Sequence, residues 1–208
     1  MITTPTLTLE RALWRDGYRR VTGIDEAGRG ALAGPVSAAV VILPPEAENL
    51  EEKLQGVRDS KQMTASQRQA WAERLPRLVL DFGVGFASPE EIDTLGILPA
   101  TRLAVRRALE NLQAPPDYLL LDYLTLPEIP LPQYALPKGD SRVLSIAAAS
   151  IFAKTRRDTR MCALEKDYPG YGFARHKGYG TGAHREAISR LGASPIHRRT
   201  FAPLRAKA

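Results

Sequence analysis

An acidic pair between a short apolar run and a glycine-rich loop constrains this chain most. Asp25 and Glu26 follow the apolar stretch at residues 21–24, and the segment AGRG at residues 27–30 comes directly after them. Adjacent carboxylates repel each other, so a bound cation or a shared proton favours such a pair. Glycines let the backbone come close to a ligand, and Arg29 can offer paired hydrogen bonds to a phosphate. The pattern predicts a strand that ends in a metal and phosphate site.

Hydrophobic periodicity predicts an α/β fold. Alternating or continuous apolar runs predict strands at residues 20–24, 36–43, 81–87 and 118–122. Helical spacing predicts helices at residues 64–78, from residue 88 onward, and at 98–112, 145–168 and 181–191. Four prolines predict an irregular connection at residues 126–137, and residues 170–182 are expected to form a glycine-rich loop. This order predicts an α/β sheet whose C-terminal helices form a lobe over one edge.

The composition indicates an anionic partner. Lys and Arg number 29 against 23 acidic residues, which gives a net charge of +6. Nucleic acid is the commonest partner of such a chain, although charge alone leaves a basic protein without that partner as an alternative. The single cysteine, Cys162, excludes an internal disulfide and is expected to pack as a small core residue. No membrane-spanning run or secretory signal is visible, so we expect a cytoplasmic protein.

Four acidic residues form a candidate metal-binding set. Besides Asp25 and Glu26, Asp122 ends the apolar run that starts at residue 118, and Asp140 lies in the motif KGDS at residues 138–141. Mg²⁺ and Mn²⁺ prefer carboxylate oxygens. Two such ions about 3.5–4 Å apart can activate water and stabilise the leaving oxygen in phosphodiester hydrolysis. The alternative is that an acid at a strand end is a cap or a surface residue, and it applies most to Asp122 and Asp140 taken singly.

Basic residues supply candidate phosphate contacts. The candidates are Lys61, Lys138, Lys154, Arg157 and Lys177. The helical pattern places Arg157 on the exposed side of its helix, together with Lys154, Arg156 and Arg160. His176 and His197 lack a spacing typical of zinc, so structural or phosphate-contacting roles are expected. Asp158 is expected to be a salt-bridged acid on its helix.

Short motifs along the chain resemble those of type 2 ribonucleases H, the bacterial ribonuclease HII family. The first is VTGIDEAGRGALAGPV at residues 21–36. The others follow in order as DSK at 59–61, LD at 121–122, KGDS at 138–141, SIAAASIFAK at 145–154, YGF at 171–173, HKGY at 176–179 and HRRTF at 197–201. The resemblance covers nearly the whole chain. It implies one ribonuclease H-like catalytic domain over residues 1–208, a mixed sheet flanked by helices, with roughly 160–208 as a C-terminal helical extension.

The resemblance also implies an activity. The positions that match the family's four catalytic carboxylates are Asp25, Glu26, Asp122 and Asp140. In the family these residues bind divalent metal, Mn²⁺ or Mg²⁺, with two ions expected during catalysis. The implied reaction hydrolyses the phosphodiester 5′ to a ribonucleotide and leaves 3′-hydroxyl and 5′-phosphate ends. The implied substrates are RNA–DNA hybrids and DNA duplexes that contain a single embedded ribonucleotide.

The same resemblance implies how the ribonucleotide is recognised. Gly28, Arg29 and Gly30 match the loop that reads the ribose 2′-hydroxyl, the group that distinguishes RNA from DNA. Tyr179 matches the tyrosine that stacks on the next sugar. Three candidate phosphate contacts complete the expected substrate-binding set, namely Lys61, Lys154 and Lys177. We expect a monomer, and the chain end at residues 205–208 shows no clamp-binding motif or other evident protein partner.

Some positions depart from the family pattern. Ala31 stands where proline is common, Gln62 where a second lysine is common, and Tyr123 where a small residue often follows the third acid. Tyr123 matters most, because a bulky neighbour can narrow the approach to Asp122. All four carboxylates remain, so we expect activity to survive. Two other classes fit less well: a non-catalytic binding protein should lack an acid, and a nucleotide-binding enzyme should carry a P-loop, for which GRG is too short.

Overall fold

A mixed five-stranded sheet forms the centre of the computed structural model, which describes residues 4–204. Its strands are β1 (Val21–Ala27), β2 (Val36–Ile42), β3 (Asp81–Ala87), β4 (Tyr118–Asp122) and β5 (Gln133–Leu136). The order across the sheet is β3-β2-β1-β4-β5. β1, β2 and β3 are antiparallel neighbours, whereas β4 and β5 run parallel to β1. β1 is therefore central, and its carboxyl end lies beside that of β4.

Helices cover both faces of the sheet. They are α1 (Thr8–Arg15), α2 (Leu50–Lys53), α3 (Ala65–Arg74), α4 (Pro89–Leu95), α5 (Ile97–Glu110), α6 (Leu144–Asp167), α7 (Phe173–His176) and α8 (Gly182–Leu191). Side chains of β2 alternate between the faces, so Val41 packs with α6 residues such as Phe152, and Val40 packs with α5 residues such as Val105. No helix within residues 4–204 is long and apolar enough to cross a membrane.

Most of the predicted elements are confirmed. β3 and β4 have the predicted bounds, and α6 is shifted by one residue at each end. The capping box of Thr64 and Gln67 is present at the start of α3. α3 ends at Arg74, earlier than predicted, because Pro76 follows and residues 75–77 form a 3₁₀ turn instead. Thr181 caps α8 by accepting a hydrogen bond from the backbone N–H of His184.

Two predicted boundaries are wrong. β1 does not end before the acidic pair but runs through it to Ala27, and residues 173–176 of the expected glycine-rich loop form α7.

Two other expectations from the sequence are also wrong. Residues 126–137 are not irregular throughout, because Gln133–Leu136 form β5. This edge strand pairs only with β4 and lies between Pro132 and Pro137, positions where a missing N–H is tolerated. Cys162 is exposed rather than packed in the core. Beyond Ala153, only Arg157 and Met161 of α6 are buried, since the helix has left the sheet by this point.

Gly23 lets α6 lie directly against the centre of the sheet. A Cβ atom at this position of β1 would lie 2.3 Å from the carbonyl carbon of Ser145 and 2.4 Å from the nitrogen of Ile146. Both are backbone atoms at the start of α6, so no flexible side chain can move aside. The close approach fixes the start of α6 next to β1.

We expect Gly23→Ala to lower the free energy of unfolding by about 2–3 kcal/mol, because the added methyl group forces two backbones apart. Chemical denaturation monitored by circular dichroism would measure the change. Gly182→Ala is the matched control, since a Cβ atom at that position would have no other atom within 4 Å, and it should leave stability within about 0.5 kcal/mol. Equal stability of Gly23→Ala and the parent protein would contradict the close packing of α6 on β1.

Candidate active site

Three of the four candidate carboxylates lie on the side of the sheet that α6 covers. β1 and β4 are parallel, and Ile24 pairs with Leu121, so Asp25 and Asp122 follow at the same level. Residues two apart on a strand share a face. Gly23 contacts the start of α6, so Asp25 is directed to that side. The same alternation places Asp122 with Leu120, which packs beside Ile146 of α6.

Asp140 reaches this corner from the other direction. It lies in the 3₁₀ turn Gly139–Ser141, just before α6 begins. The backbone N–H of Gly139 donates to Oδ1 of Asp122 at 2.8 Å, which ties this turn to the end of β4. Asp25 and Asp140 are only 4% and 5% exposed. The fold thus gathers carboxylates from β1, β4 and the turn before α6 in one nearly buried corner.

Successive side chains of a strand point to opposite faces of the sheet, so Glu26 points away from Asp25. Glu26 therefore borders the site from the other face. Its Oε1 accepts a hydrogen bond of 3.0 Å from Nη1 of Arg29. On the other side, Nζ of Lys61 lies 3.3 Å from Oδ2 of Asp140. Two cations therefore offset part of the negative charge of the four acids.

Burial and mutual repulsion govern ionisation at the site. Burial, followed by the charge of Glu26, raises the pKa of Asp25 well above its usual value. Burial also raises the pKa of Glu26, although Arg29 opposes the shift, and it raises the pKa of Asp122. Burial disfavours the charged form of Lys61, but the carboxylates of Asp25, Asp140 and Asp59 outweigh it and raise the Lys61 pKa. Without a bound cation, burial therefore favours the neutral forms of Asp25, Glu26 and Asp122.

The carboxylate oxygens of the site suit a hard divalent cation. In this structure, two of the four carboxylates form ion pairs with neighbouring side chains. Carboxylate oxygens are the ligands that Mg²⁺ and Mn²⁺ prefer. Within residues 4–204, no three His, Cys, Asp or Glu side chains are arranged as a ready cation site. Asp140 contacts Lys61, and Glu26 contacts Arg29. Each contact occupies one oxygen of its carboxylate, Oδ2 of Asp140 and Oε1 of Glu26, so a metal that used these oxygens would displace Lys61 or Arg29.

A cavity of about 540 Å³ opens beside Glu26. Its lining includes six of the seven residues predicted to bind substrate, namely Gly28, Arg29, Gly30, Lys61, Lys154 and Tyr179. Lys177 is the exception. It lines a separate groove that α3 and α6 border, and its ammonium group donates to the carbonyl of Ala174. Phe201 also lines the cavity and was named in the sequence only as part of a motif.

The glycine loop and the segment around Tyr179 form one wall of the cavity. Ala31 pairs with Tyr179 in an isolated antiparallel bridge, and the backbone N–H of Leu32 donates to the carbonyl of Gly178 at 2.8 Å. Gly28 has φ of +94°, a conformation that favours glycine. These contacts keep the glycine loop next to the Tyr179 segment, so that Arg29 and Tyr179 line the same cavity.

Two buried arginines support this wall, and the sequence did not reveal their role. The expectation that Arg157 is exposed is wrong, because it is fully buried. Its Nε donates to the carbonyl of Pro35 at 2.8 Å and its Nη1 to that of Lys177 at 2.9 Å. Its guanidinium also lies 5.2 Å from the centre of the Tyr179 ring. The donors of Arg157 thus serve backbone carbonyls, and the side chain is not free to meet a phosphate.

Arg198 supports the glycine loop from the opposite side. Its Nη1 donates to the carbonyl of Arg29 at 2.8 Å and its Nε to that of Gly34 at 3.0 Å. Burial, together with the charge of Arg157, lowers the pKa of Arg198 to about 9. A buried arginine bound only to carbonyls looks the same in sequence as a solvated one, so only the HRRTF motif pointed to this residue.

Two further residues near the site can now be placed. Asp158 forms a salt bridge of 2.7 Å with Lys154, as predicted. The Lys154 ammonium lies 5.4 Å from the centre of the Tyr179 ring. Tyr123 is 73% exposed and has φ of +62°. A small residue would suit this left-handed backbone better, and the exposed ring of Tyr123 does not cover Asp122.

The sheet order and the carboxylates at its centre define an α/β protein with the ribonuclease H-like fold. Solved structures show the same architecture. The ribonuclease H2 of Pyrococcus horikoshii matches with a TM-score of 0.71 and 28% identity over 89% of this chain and 95% of that one. A ribonuclease HII from Archaeoglobus fulgidus, solved in complex with PCNA, gives a TM-score of 0.72 and 27% identity over 90% and 98% of the two chains.

Sequence comparison identifies the family. The family model for ribonuclease HII matches residues 22–204. The ribonuclease HII of Syntrophotalea carbinolica is 53% identical over 96% of this chain and 93% of its own length. That of Roseiflexus castenholzii is 54% identical over 96% and 89%. The chain therefore belongs to the ribonuclease HII family, and it is a ribonuclease H, an endoribonuclease that acts on RNA–DNA substrates.

Proposed function

We propose that this enzyme cleaves the phosphodiester on the 5′ side of ribonucleotides, both in RNA–DNA hybrids and at single ribonucleotides embedded in duplex DNA. The products carry 3′-hydroxyl and 5′-phosphate ends. The observation that supports this most directly is the meeting of carboxylates from β1, β4 and the turn before α6 in one nearly buried corner, beside the cavity that residues 28–30 line. The carboxylates assigned to hydrolysis therefore lie next to the loop assigned to recognition of the ribose.

The catalytic part of the proposal assigns a divalent cation, Mg²⁺ or Mn²⁺, to the four carboxylates. The residues that would hold it are Asp25, Glu26, Asp122 and Asp140. When bound, such a cation supplies a water nucleophile at neutral pH and stabilises charge on the leaving oxygen. A ribonuclease HIII with the same fold was solved with Mn²⁺, at 19% identity and a TM-score of 0.67. The gathering of carboxylates from β1, β4 and the turn before α6 in one nearly buried corner supports the assignment in this chain.

The remaining residues bind and orient the nucleic acid. Lys61 and Lys154 bring positive charge to the cavity, which favours phosphate binding without sequence preference. The glycines on either side of Arg29 allow the backbone to approach a ribose closely, where a 2′-hydroxyl can be read by hydrogen bonds. Tyr179 is assigned to the sugar that follows the ribonucleotide. Lys177 is a phosphate contact outside the cavity, along the groove bordered by α3 and α6.

We propose that the enzyme acts as a monomer in the cytoplasm, with nucleic acid as its partner. The Archaeoglobus fulgidus protein was solved with PCNA. Residues 205–208, where the sequence shows no clamp-binding motif, lie outside the described residues. We propose no protein partner.

Cleavage of an end-labelled DNA duplex with one ribonucleotide tests the proposal. The duplex is incubated with Mg²⁺, Mn²⁺ or a chelator, beside an all-DNA duplex and an RNA–DNA hybrid. We expect one nick, just 5′ of the ribonucleotide, only with metal, and no cleavage of the all-DNA control. Cleavage in the presence of the chelator would overturn the metal assignment, and cleavage of the hybrid alone would overturn the activity on single ribonucleotides.

A further inference from the structure

All three histidines of the chain lie close together, next to the backbone of Tyr179. His176 of α7 stacks on His184 of α8, with ring centres 4.3 Å apart. Nε2 of His184 lies 3.1 Å from Nε2 of His197, in the segment that follows α8. Both His184 and His197 are buried. Two facing ring nitrogens at this distance form a hydrogen bond only if one carries a proton and the other does not.

The backbone determines the tautomer of His197. The backbone N–H of Ser194 donates to Nδ1 of His197 at 2.9 Å, and the Ser194 hydroxyl, 2.8 Å from the same nitrogen, can donate to it as well. A backbone N–H can only donate, so this Nδ1 carries no proton. Neutral His197 therefore has its proton on Nε2, and it donates that proton to His184.

The tautomer of His184 follows from the same argument. Its Nε2 accepts from His197, so its own proton lies on Nδ1. That nitrogen is 2.9 Å from the carbonyl oxygen of Tyr179, which can only accept. The hydrogen bonds thus run in one direction, from Ser194 through both imidazoles to Tyr179. A second proton on either ring would place two donors against each other and break the chain.

The surroundings keep both rings neutral. His176 accepts at Nδ1 from the N–H of Gly178, so its Nε2 donates to the carbonyl of Tyr171. The rings of Tyr171 and Phe173 pack against His197. The cations of this region contact the Tyr179 segment: Arg157 and Lys154 lie 5.2 Å and 5.4 Å from the centre of the Tyr179 ring, and Arg185 donates to the carbonyl of Gly180. Burial lowers the pKa of His184 and lowers that of His197 to about 4.

The position of Tyr179 depends on contacts from other segments, of which the bridge to Ala31 is one. Tyr179 lies between Gly178 and Gly180, two residues without side chains, and Gly178 has φ of +80°. Glycine loses more conformational freedom on folding than any other residue. A buried hydrogen bond to the Tyr179 carbonyl limits this freedom and holds the ring over Lys154 and Arg157.

We propose that His184 and His197 are positioning residues, whose neutral, one-directional hydrogen-bond chain holds Tyr179 where it can test the sugar next to a single embedded ribonucleotide. This inference rests on the proposed function. A long RNA–DNA hybrid offers a 2′-hydroxyl at every RNA sugar, so its cleavage depends less on the placement of one tyrosine. The pair should therefore affect the choice between substrates more than the chemical step, which both substrates share.

The test compares kcat/KM for the single-ribonucleotide duplex with kcat/KM for the hybrid. We expect Tyr179→Ala and His184→Leu each to lower this ratio about tenfold, the effect of about 1.4 kcal/mol. His184→Asn should keep the ratio within about threefold, because its amide can still donate from near the position of Nδ1. Glu186→Ala, exposed on the same helix, is the matched control. The parent ratio should stay constant between about pH 7 and 8, because burial lowers the pKa of both rings below the usual value for histidine of about 6.5.

Several results would overturn the inference. Equal loss of both activities in His184→Leu would show a purely structural role, and so would a ratio in His184→Asn as low as in His184→Leu. A proton on Nδ1 of His197 in nitrogen-15 NMR spectra of the parent protein would contradict the hydrogen-bond direction, whatever the variants do. An unchanged ratio in Tyr179→Ala would refute the role of Tyr179 itself. Absence of nicking by the parent enzyme would instead refute the proposed function.

Discussion

Asp25→Asn is expected to lower the cleavage rate by at least about 10³-fold and to leave substrate binding within about threefold. Asparagine has nearly the same shape as aspartate, but it cannot supply the negative charge that a divalent cation needs at the end of β1. The lysines and the glycine loop of the cavity are unchanged, so the duplex should still bind. Single-turnover cleavage and fluorescence anisotropy would measure the two quantities on the same labelled duplex.

The same variant also predicts a change in stability without metal. Asp25 is buried beside other acids, and its charge is unfavourable there. Its removal should therefore leave the melting temperature of the metal-free protein equal or raise it. Asp167→Asn, at the exposed end of α6, is the control and should retain full activity. Cleavage by Asp25→Asn within tenfold of the parent rate would refute the assignment of Asp25.

Arg157→Met is expected to lower the free energy of unfolding by about 3 kcal/mol. Methionine has a similar length but no donors, so the carbonyls of Ala33, Pro35 and Lys177 lose a buried hydrogen bond each. An unpaired buried carbonyl costs about 1–3 kcal/mol, and release of a buried charge offsets part of the total. Urea unfolding monitored by fluorescence would measure the difference.

Two further variants sharpen this prediction. Arg156→Met changes an exposed arginine of the same helix and should alter stability by less than about 0.5 kcal/mol. Arg157→Lys should recover only part of the loss, since one ammonium group lacks the planar fork that reaches several carbonyls. If Arg157→Met were as stable as the parent protein, the carbonyls would have other partners and the support of the cavity wall would lie elsewhere.

Much of the molecule follows from local signals in the sequence. The bounds of β3, the capping box of Thr64 and the cap of Thr181 depend on residues a few positions apart, so the pattern of side chains is enough to find them. Asp25 and Asp122 could be singled out in the same way, because each ends an apolar run. The family likewise follows from motifs that are contiguous in the chain.

Other features depend on which distant segments meet. Residues 133–136 carry no strong strand signal, and they become β5 only because β4 offers a parallel edge to pair with. Arg157 belongs to a basic stretch and is buried because the carbonyls of Ala33, Pro35 and Lys177 converge on it.

The position of a side chain relative to the cavity was likewise decided by the fold. Lys154 reaches the cavity and Lys177 does not, although both are lysines in matching motifs. The hydrogen bonds among Ser194, His184 and Tyr179 join segments whose approach no spacing in the sequence reveals. The sequence by itself determined four of the five strands and the helix caps, and it singled out the four acids as candidates, because these are properties of neighbouring residues. The tertiary structure alone decided the edge strand, the buried arginines and the histidine chain, because burial and hydrogen-bond partners exist only after distant segments have packed.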